Sequence, residues 1–307
     1  MRVLLQMPGG TIDAWRASLQ RALPHATISV WPDHDGPADY ALVWKPPPDL
    51  FTTVTPSKAI FNIGAGVDAL LRTPTLPAVI PVIRLEDAGM AGPMAEYVTR
   101  AVLHAHQGAD RYARQQRASE WVTHKRRPNG EFGVGILGLG VLGRAVAAAL
   151  RPFGFALAGW SRERKEVEGV SSFAGMSQLP AFLALSDVLV CLLPSTPQTR
   201  DLLDRETMRL LPRGATFVNV ARGDIVVDAD LIALLDAGHL SGATLDVFRE
   251  EPLPPGHPFW RHPGVVVTPH VSAATVMEDS VAQIAQKILR LEQGLEVTGV
   301  VDRTRGY

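Results

Sequence analysis

The chain has 307 residues, 46% hydrophobic and 20% charged, with a formal net charge of -1 and a pI near 6.8. That length and composition predict a globular protein of two domains, each able to bury a core. The balanced charge gives no electrostatic case for nucleic acid or an anionic membrane, no apolar run reaches membrane-spanning length, and the single cysteine, Cys191, excludes a disulfide framework.

Val3-Leu4-Leu5 reads as a strand rather than the core of a secretory signal, so the cytoplasm is the expected location. Residues 14–23 have helical spacing, and residues 26–31, 40–44 and 58–62 read as three further strands. The last runs into Ile63-Gly64-Ala65-Gly66, which by itself reads as a simple strand-to-helix turn. A long helix is predicted from residue 92 to about 121, bridging into the second domain. The basic run His124-Lys125-Arg126-Arg127 reads as a solvated loop. Strands then alternate with helices: strands at 133–137, 156–160, 188–193, 216–220, 242–247 and 265–268, helices beginning near Gly143, Gln178, Arg205 and Asp228. A helix over 277–293 carries the chain back to the first domain. This alternation predicts an α/β fold with a doubly wound parallel sheet.

Gly133-Val134-Gly135-Ile136-Leu137 is a buried-strand pattern, and Gly138, Gly140 and Gly143 follow it in G-x-G-x-x-G spacing. The first glycine allows the tight turn, the second lets a phosphate approach the backbone, and the third lets helix pack on strand. The helix N-terminus at Val141 and Leu142 offers N–H groups to a pyrophosphate. A structural glycine turn is the alternative reading, and the strand-turn-helix setting favours a dinucleotide site. An NAD site carries an acid about 20 residues further on. Here the second strand ends at Trp160 and runs into Ser161-Arg162-Glu163-Arg164-Lys165. A hydroxyl and cations suit a 2′-phosphate, which a carboxylate would repel, so NADPH is expected, with NAD as the alternative.

Three later strands end in reactive groups: Asn219-Val220-Ala221-Arg222-Gly223, Asp246-Val247-Phe248-Arg249-Glu250-Glu251-Pro252, and Thr268-Pro269-His270. Each residue alone has a plain reading: Arg222 a surface arginine, Glu251 a loop acid, His270 a capping histidine. Together at the carboxyl edge of a nucleotide-binding sheet they suit hydride transfer to a 2-keto acid. Arg222 can clamp the carboxylate, His270 can give a proton to the carbonyl oxygen, and Glu251 can hold the other imidazole nitrogen and favour the acid form.

These motifs, with the loop Leu193-Pro194-Ser195-Thr196-Pro197-Gln198-Thr199, are similar along nearly the whole chain to the D-isomer-specific 2-hydroxyacid dehydrogenases. Trp44-Lys45-Pro46, Arg84-Leu85-Glu86-Asp87-Ala88-Gly89-Met90 and Trp160-Ser161-Arg162 resemble the family's reductases of glyoxylate and hydroxypyruvate, which make glycolate and D-glycerate. The resemblance implies a Rossmann cofactor domain, residues 96–274, inserted into a smaller flavodoxin-like substrate domain, residues 1–95 and 275–307. It implies a cleft that closes on a small 2-keto acid, and a homodimer formed through the cofactor domains. It assigns Ile63, Gly64 and Ala65 to the substrate carboxylate and Trp44 to the small-acid pocket. It places Leu193, Pro194, Ser195 and Thr199 on the adenosine side with Val220 and Ala221 among the cofactor contacts, and Asp246 toward the nicotinamide carboxamide. The missing acid at Ser161 is the departure from the family majority. Another small 2-keto acid would suit the same residues. Glu251 argues against formate, where an amide replaces that acid. A nucleotide-sensing binding protein of the same fold is the alternative outside catalysis, and the intact Arg222, Glu251 and His270 weigh against it.

Overall fold

The computed structural model describes residues 1–34 and 36–307. The chain divides into two compact units: Met1–Met90 with Thr275–Tyr307, and Ala91–Ala274. The first break falls before residue 91, not after 95, because the helix that begins at Ala91 is continuous and packs within the second unit.

The first unit begins β1 (Arg2–Gln6), α1 (Ile12–Ala22), β2 (Thr27–Val30), β3 (Tyr40–Val43), α2 (Leu50–Thr53), β4 (Ala59–Asn62), α3 (Asp68–Leu71) and β5 (Val82–Arg84). Its five strands are all parallel in the order β2-β1-β3-β4-β5, the flavodoxin arrangement. β3 and β4 are buried at every position, as expected of strands covered on both faces.

The second unit holds α4 (Ala91–Gln107), α5 (Ala109–Ala118), β6 (Gly133–Leu137), α6 (Val141–Leu150), β7 (Ala156–Ser161), β8 (Ser171–Ala174), α7 (Gly175–Leu183), β9 (Val188–Cys191), α8 (Arg205–Met208), β10 (Ala215–Asn219), α9 (Asp228–Asp236), β11 (Leu240–Leu245) and β12 (Val265–Val267). Its seven parallel strands run β12-β11-β10-β9-β6-β7-β8. The order reverses between β6 and β9, the switch point where such sheets bind nucleotides.

Alternate residues along each strand feed two cores. Val188 and Val190 of β9 face Val98 and Val102 of α4 and Val146 and Leu150 of α6. Leu189 and Cys191 face Phe182 of α7 and Leu231 and Leu234 of α9. Burial pushes the Cys191 thiol up to about 12, so it behaves as a small apolar group.

α10 (Met277–Glu292) returns to the first unit and packs on α1. Lys58 Nζ and Tyr40 Oη each donate to Glu292 Oε1 at 2.6 Å, joining its last turn to the sheet. Lys287, only 6% exposed, donates to Glu86 and to the carbonyls of Arg84 and Thr298.

Three expectations are corrected. The single helix over 92–121 is two helices, interrupted where Gly108 turns left-handed at φ 65° and ended at Ala118. β5 and β8 were not expected; both are short edge strands, and edges do not need a long apolar run. The basic run at 124–127 is partly anchored, since Arg127 donates to Asp187 and to the carbonyl of Glu131.

Candidate active site

The glycine turn leaves β6 at the switch point. Gly138 has φ 105°, and a Cβ there would lie 2.8 Å from the carbonyl oxygen of Leu192. A Cβ on Gly143 would lie 1.9 Å from the Gly138 carbonyl oxygen, so no larger residue lets α6 approach the turn. Gly140 differs: nothing lies within 4 Å of its Cβ position. Nothing therefore crowds the Cβ position of Gly140, the residue that precedes Val141 and Leu142 in the first turn of α6, and no side chain caps the helix there. An exposed helix start beside an unobstructed glycine fits a pyrophosphate.

β7 ends at Ser161, which is buried and donates its hydroxyl to the carbonyl of Glu163 at 2.7 Å. Its oxygen remains able to accept, and donation to a phosphate requires releasing Glu163. Arg162 is half-exposed and 3.6 Å from Glu163. Lys165 donates to the carbonyl of Leu139 at 3.3 Å, which carries its ammonium onto the glycine turn.

The loop after β9 is closed by its own side chains. Thr199 Oγ1 donates to the Pro194 carbonyl at 2.6 Å and accepts from Thr196 N at 2.8 Å. Ser195 donates to Asp224 at 2.7 Å, tying the loop to the turn that follows β10. Leu193 is buried beneath it.

Arg222 follows β10. Asn219, the last residue of that strand, is 1% exposed and closes the turn twice: its amide donates to the Arg222 carbonyl at 3.0 Å and its oxygen accepts from Ala221 N at 3.1 Å. Val220 and Ala221 are buried, and one Arg222 guanidinium nitrogen donates to the Ala221 carbonyl at 2.6 Å. A Cβ on Gly223 would lie 1.9 Å from the Phe248 backbone, so this turn abuts the one that carries Glu251.

Glu251 uses both oxygens. Oε1 accepts from Phe248 N at 3.1 Å, and Oε2 lies 2.8 Å from His270 Nδ1. The fixed carboxylate sets the ring orientation and leaves Nε2 as the nitrogen able to exchange a proton. The His270 side chain is 41% exposed against 25% for Glu251. The structure thus brings Glu251 and His270 together directly.

Asp246 is fully buried. Its Oδ1 accepts from Thr268 Oγ1 at 2.6 Å and from Val271 N at 2.9 Å, and its Oδ2 from Ser272 N at 2.8 Å. It therefore braces the His270 turn. That arrangement differs in emphasis from the nicotinamide contact expected of it.

In the first unit, Ile63 is buried and Gly64 has φ 151°. A Cβ on Gly64 would lie 2.5 Å from the Trp44 ring, so the indole lies flush on the glycine backbone. Asn62, 2% exposed, donates to the carbonyls of Gly64 and Gly66 at 3.0 Å each. Ala65 is half-buried in the same turn. Asn62 and Asn219 do the same work at two strand ends, a role the sequence reading missed. The available signal was an asparagine closing a strand ahead of a turn. Among the described residues no cluster could hold a metal ion.

A glycine cradle and an acid–base pair on one parallel sheet define the class: pyridine-nucleotide-dependent oxidoreductases. The profile of the D-isomer specific 2-hydroxyacid dehydrogenase NAD-binding domain matches residues 99–272. The chain is 44% identical to glyoxylate/hydroxypyruvate reductase A of Yersinia enterocolitica, covering 100% of each chain, and 44% identical, again over 100% of each, to the protein of that name from Serratia proteamaculans. Among solved structures it is similar to a D-isomer specific 2-hydroxyacid dehydrogenase from Xanthobacter autotrophicus in complex with NADPH and MES (TM-score 0.93, 43% identity, 99% of each chain). It is also similar to the NADPH-dependent glyoxylate/hydroxypyruvate reductase of Sinorhizobium meliloti in complex with NADP and sulfate (TM-score 0.93, 36% identity, 100% and 99%). The chain belongs to the D-isomer-specific 2-hydroxyacid dehydrogenase family. It is an NAD(P)-dependent enzyme, and the two solved structures named above hold NADPH and NADP.

Proposed function

We propose that this chain reduces glyoxylate and hydroxypyruvate with NADPH, giving glycolate and D-glycerate. The observation that carries the reading is the His270 Nδ1–Glu251 Oε2 pair at the carboxyl edge of a sheet whose glycine turn is open for a nucleotide. Full-length identity to two reductases of this name supports it.

When bound, NADPH supplies the reducing equivalent. Gly138, Gly140, Gly143 and the N–H groups of Val141 and Leu142 would hold its pyrophosphate. Ser161, Arg162 and Lys165 would hold the 2′-phosphate. Leu193, Pro194, Ser195 and Thr199 would border the adenosine, with Val220, Ala221 and Asp246 completing the cofactor side. Arg222 binds the substrate carboxylate and polarises the keto group. By the family resemblance, the backbone of Ile63, Gly64 and Ala65 would contact a substrate carboxylate and Trp44 would limit the substrate to a small acid. His270 gives its proton to the carbonyl oxygen as charge develops there, and Glu251 holds the imidazole for that transfer. The protein would act as a homodimer in the cytoplasm. Trp121, 97% exposed beyond the end of α5 beside half-exposed Val122, supports association through the cofactor unit. No helix among the described residues is long and apolar enough to cross a membrane.

The test is NADPH oxidation by the purified protein with each keto acid, repeated with NADH. We expect turnover with both acids and a kcat/KM at least about tenfold higher with NADPH, the loss of a charge-assisted contact being worth about 1.4 kcal/mol or more. No turnover with either acid refutes the substrate assignment, and equal efficiencies refute the cofactor preference.

A further inference from the structure

His270 is a non-glycine residue with φ 56°, in the left-handed region. Such a conformation persists where surrounding bonds over-determine it. Here His270 N donates to the Asp246 carbonyl at 2.9 Å, and the next two backbone N–H groups both end on the Asp246 carboxylate. The shape of the turn that presents the imidazole is therefore set by where that carboxylate stands.

Asp246 is buried and its charge is met by three hydrogen bonds. Two donors are backbone and belong to the turn itself. The third, Thr268 Oγ1, is a rotor. It has one hydrogen, which goes to Asp246 at 2.6 Å. Thr268 Oγ1 also lies 2.5 Å from Tyr97 Oη. With its own hydrogen committed, Thr268 must accept there, so Tyr97 donates. The chain of bonds has one direction: Tyr97 O–H to Thr268 O–H to Asp246 carboxylate to the Val271 and Ser272 N–H groups.

We propose that Tyr97 is a positioning residue for His270, acting through Thr268 and Asp246. Tyr97 lies on α4, and the Arg100 guanidinium lies over its ring at 5.2 Å from the centroid. Burial raises the phenol's pKa, which keeps the donating hydrogen in place. Removing that hydrogen leaves Thr268 free to turn, takes a fixed donor from the carboxylate, and loosens the turn that holds His270 against Glu251. Misplacing a proton donor by about 1 Å costs up to roughly a hundredfold in rate.

The inference rests on the reading of His270 as the proton donor, and the test separates the two. In Tyr97→Phe we expect kcat with glyoxylate and NADPH to fall roughly ten- to a hundredfold, with KM for glyoxylate and Kd for NADPH changed less than about twofold. In a His270→Ala background the same change should cost nothing further. Independently of turnover, the His270 ring resonance of the full chain, assigned by its loss in His270→Ala, should move and broaden in Tyr97→Phe. A wild-type chain inactive on keto acids whose His270 signal still responds would sink the substrate reading and leave this one standing. An unmoved His270 signal overturns it. So does an undiminished penalty in the His270→Ala background, or lowered thermal stability with parallel loss of NADPH binding, which marks Tyr97 as ordinary packing.

Discussion

His270 is held from two sides: Glu251 fixes its ring through Nδ1, and Asp246 fixes its backbone through the bonds around it. Removing the imidazole of a proton donor so restrained should abolish its function, while the glycine turn after β6 and the turn at Ser161, proposed to hold the nucleotide's phosphates, are left undisturbed. We expect His270→Ala to lower kcat by roughly 10²–10⁴-fold while Kd for NADPH, measured by fluorescence titration, stays within about twofold. Retained turnover would remove His270 from the chemistry. At this scale the sequence marked Arg222, Glu251 and His270 as candidates, because each follows an apolar strand and carries a reactive group, and the structure joins the last two directly. It did not expose Asn62, Asn219, Tyr97 or the bracing arrangement of Asp246. Asn62 and Asn219 bond locally to the turns they close, a signal carried only by an asparagine ahead of a turn. The bonds of Tyr97 and Asp246 reach segments 171 and 22 to 26 residues away, which no local pattern encodes.

Among the elements, α10 is joined to the first unit's sheet by a small charged cluster. Bonds from Lys58 and Tyr40 hold the Glu292 carboxyl below the ordinary carboxylate range, against the opposing effect of burial. The Lys58 ammonium is correspondingly raised by the same bond. A depressed carboxylate contributes stability that is present above its unfolded pKa, about 4.3, and is lost as pH falls through the folded value. A raised ammonium contributes stability that is present below about 10.4 and is lost as pH climbs through its folded value. Glu292→Gln should therefore unfold at lower temperature than the wild type near pH 7. The gap in Tm should close as the pH is brought below about 4. A constant gap across that range would show that the carboxyl acts through packing alone. Most elements were legible because buried parallel strands are unbroken apolar runs, as in β6 and β9. The interruption at Gly108 was hidden inside a helical pattern, and β5 and β8 carry too few apolar residues to stand out.

For the whole molecule, the homodimer proposed above is tested at the exposed indole of Trp121. Trp121 is 97% exposed and adjoins exposed Val122 on a segment without regular structure, so the two offer adjacent apolar surface that a partner copy would cover. Trp121→Ser should shift the sedimentation of the protein toward the monomer at micromolar concentration, and an unchanged dimer would show that the contact lies elsewhere. In the sequence, the expectation of a first unit made of both chain ends rested on the family resemblance, because no local pattern ties residues 277–293 to residues 1–90. What the division entails is a matter of timing. Residues 91–274 form one uninterrupted unit, whereas the first is assembled from both sides of it. On the ribosome the early strands β1 to β5 emerge with one flank of α1 bare, and α10 cannot cover it until the entire nucleotide unit has been made. Because domains fold as units during synthesis, the nucleotide unit is complete first, and the unit begun first is the last to be finished.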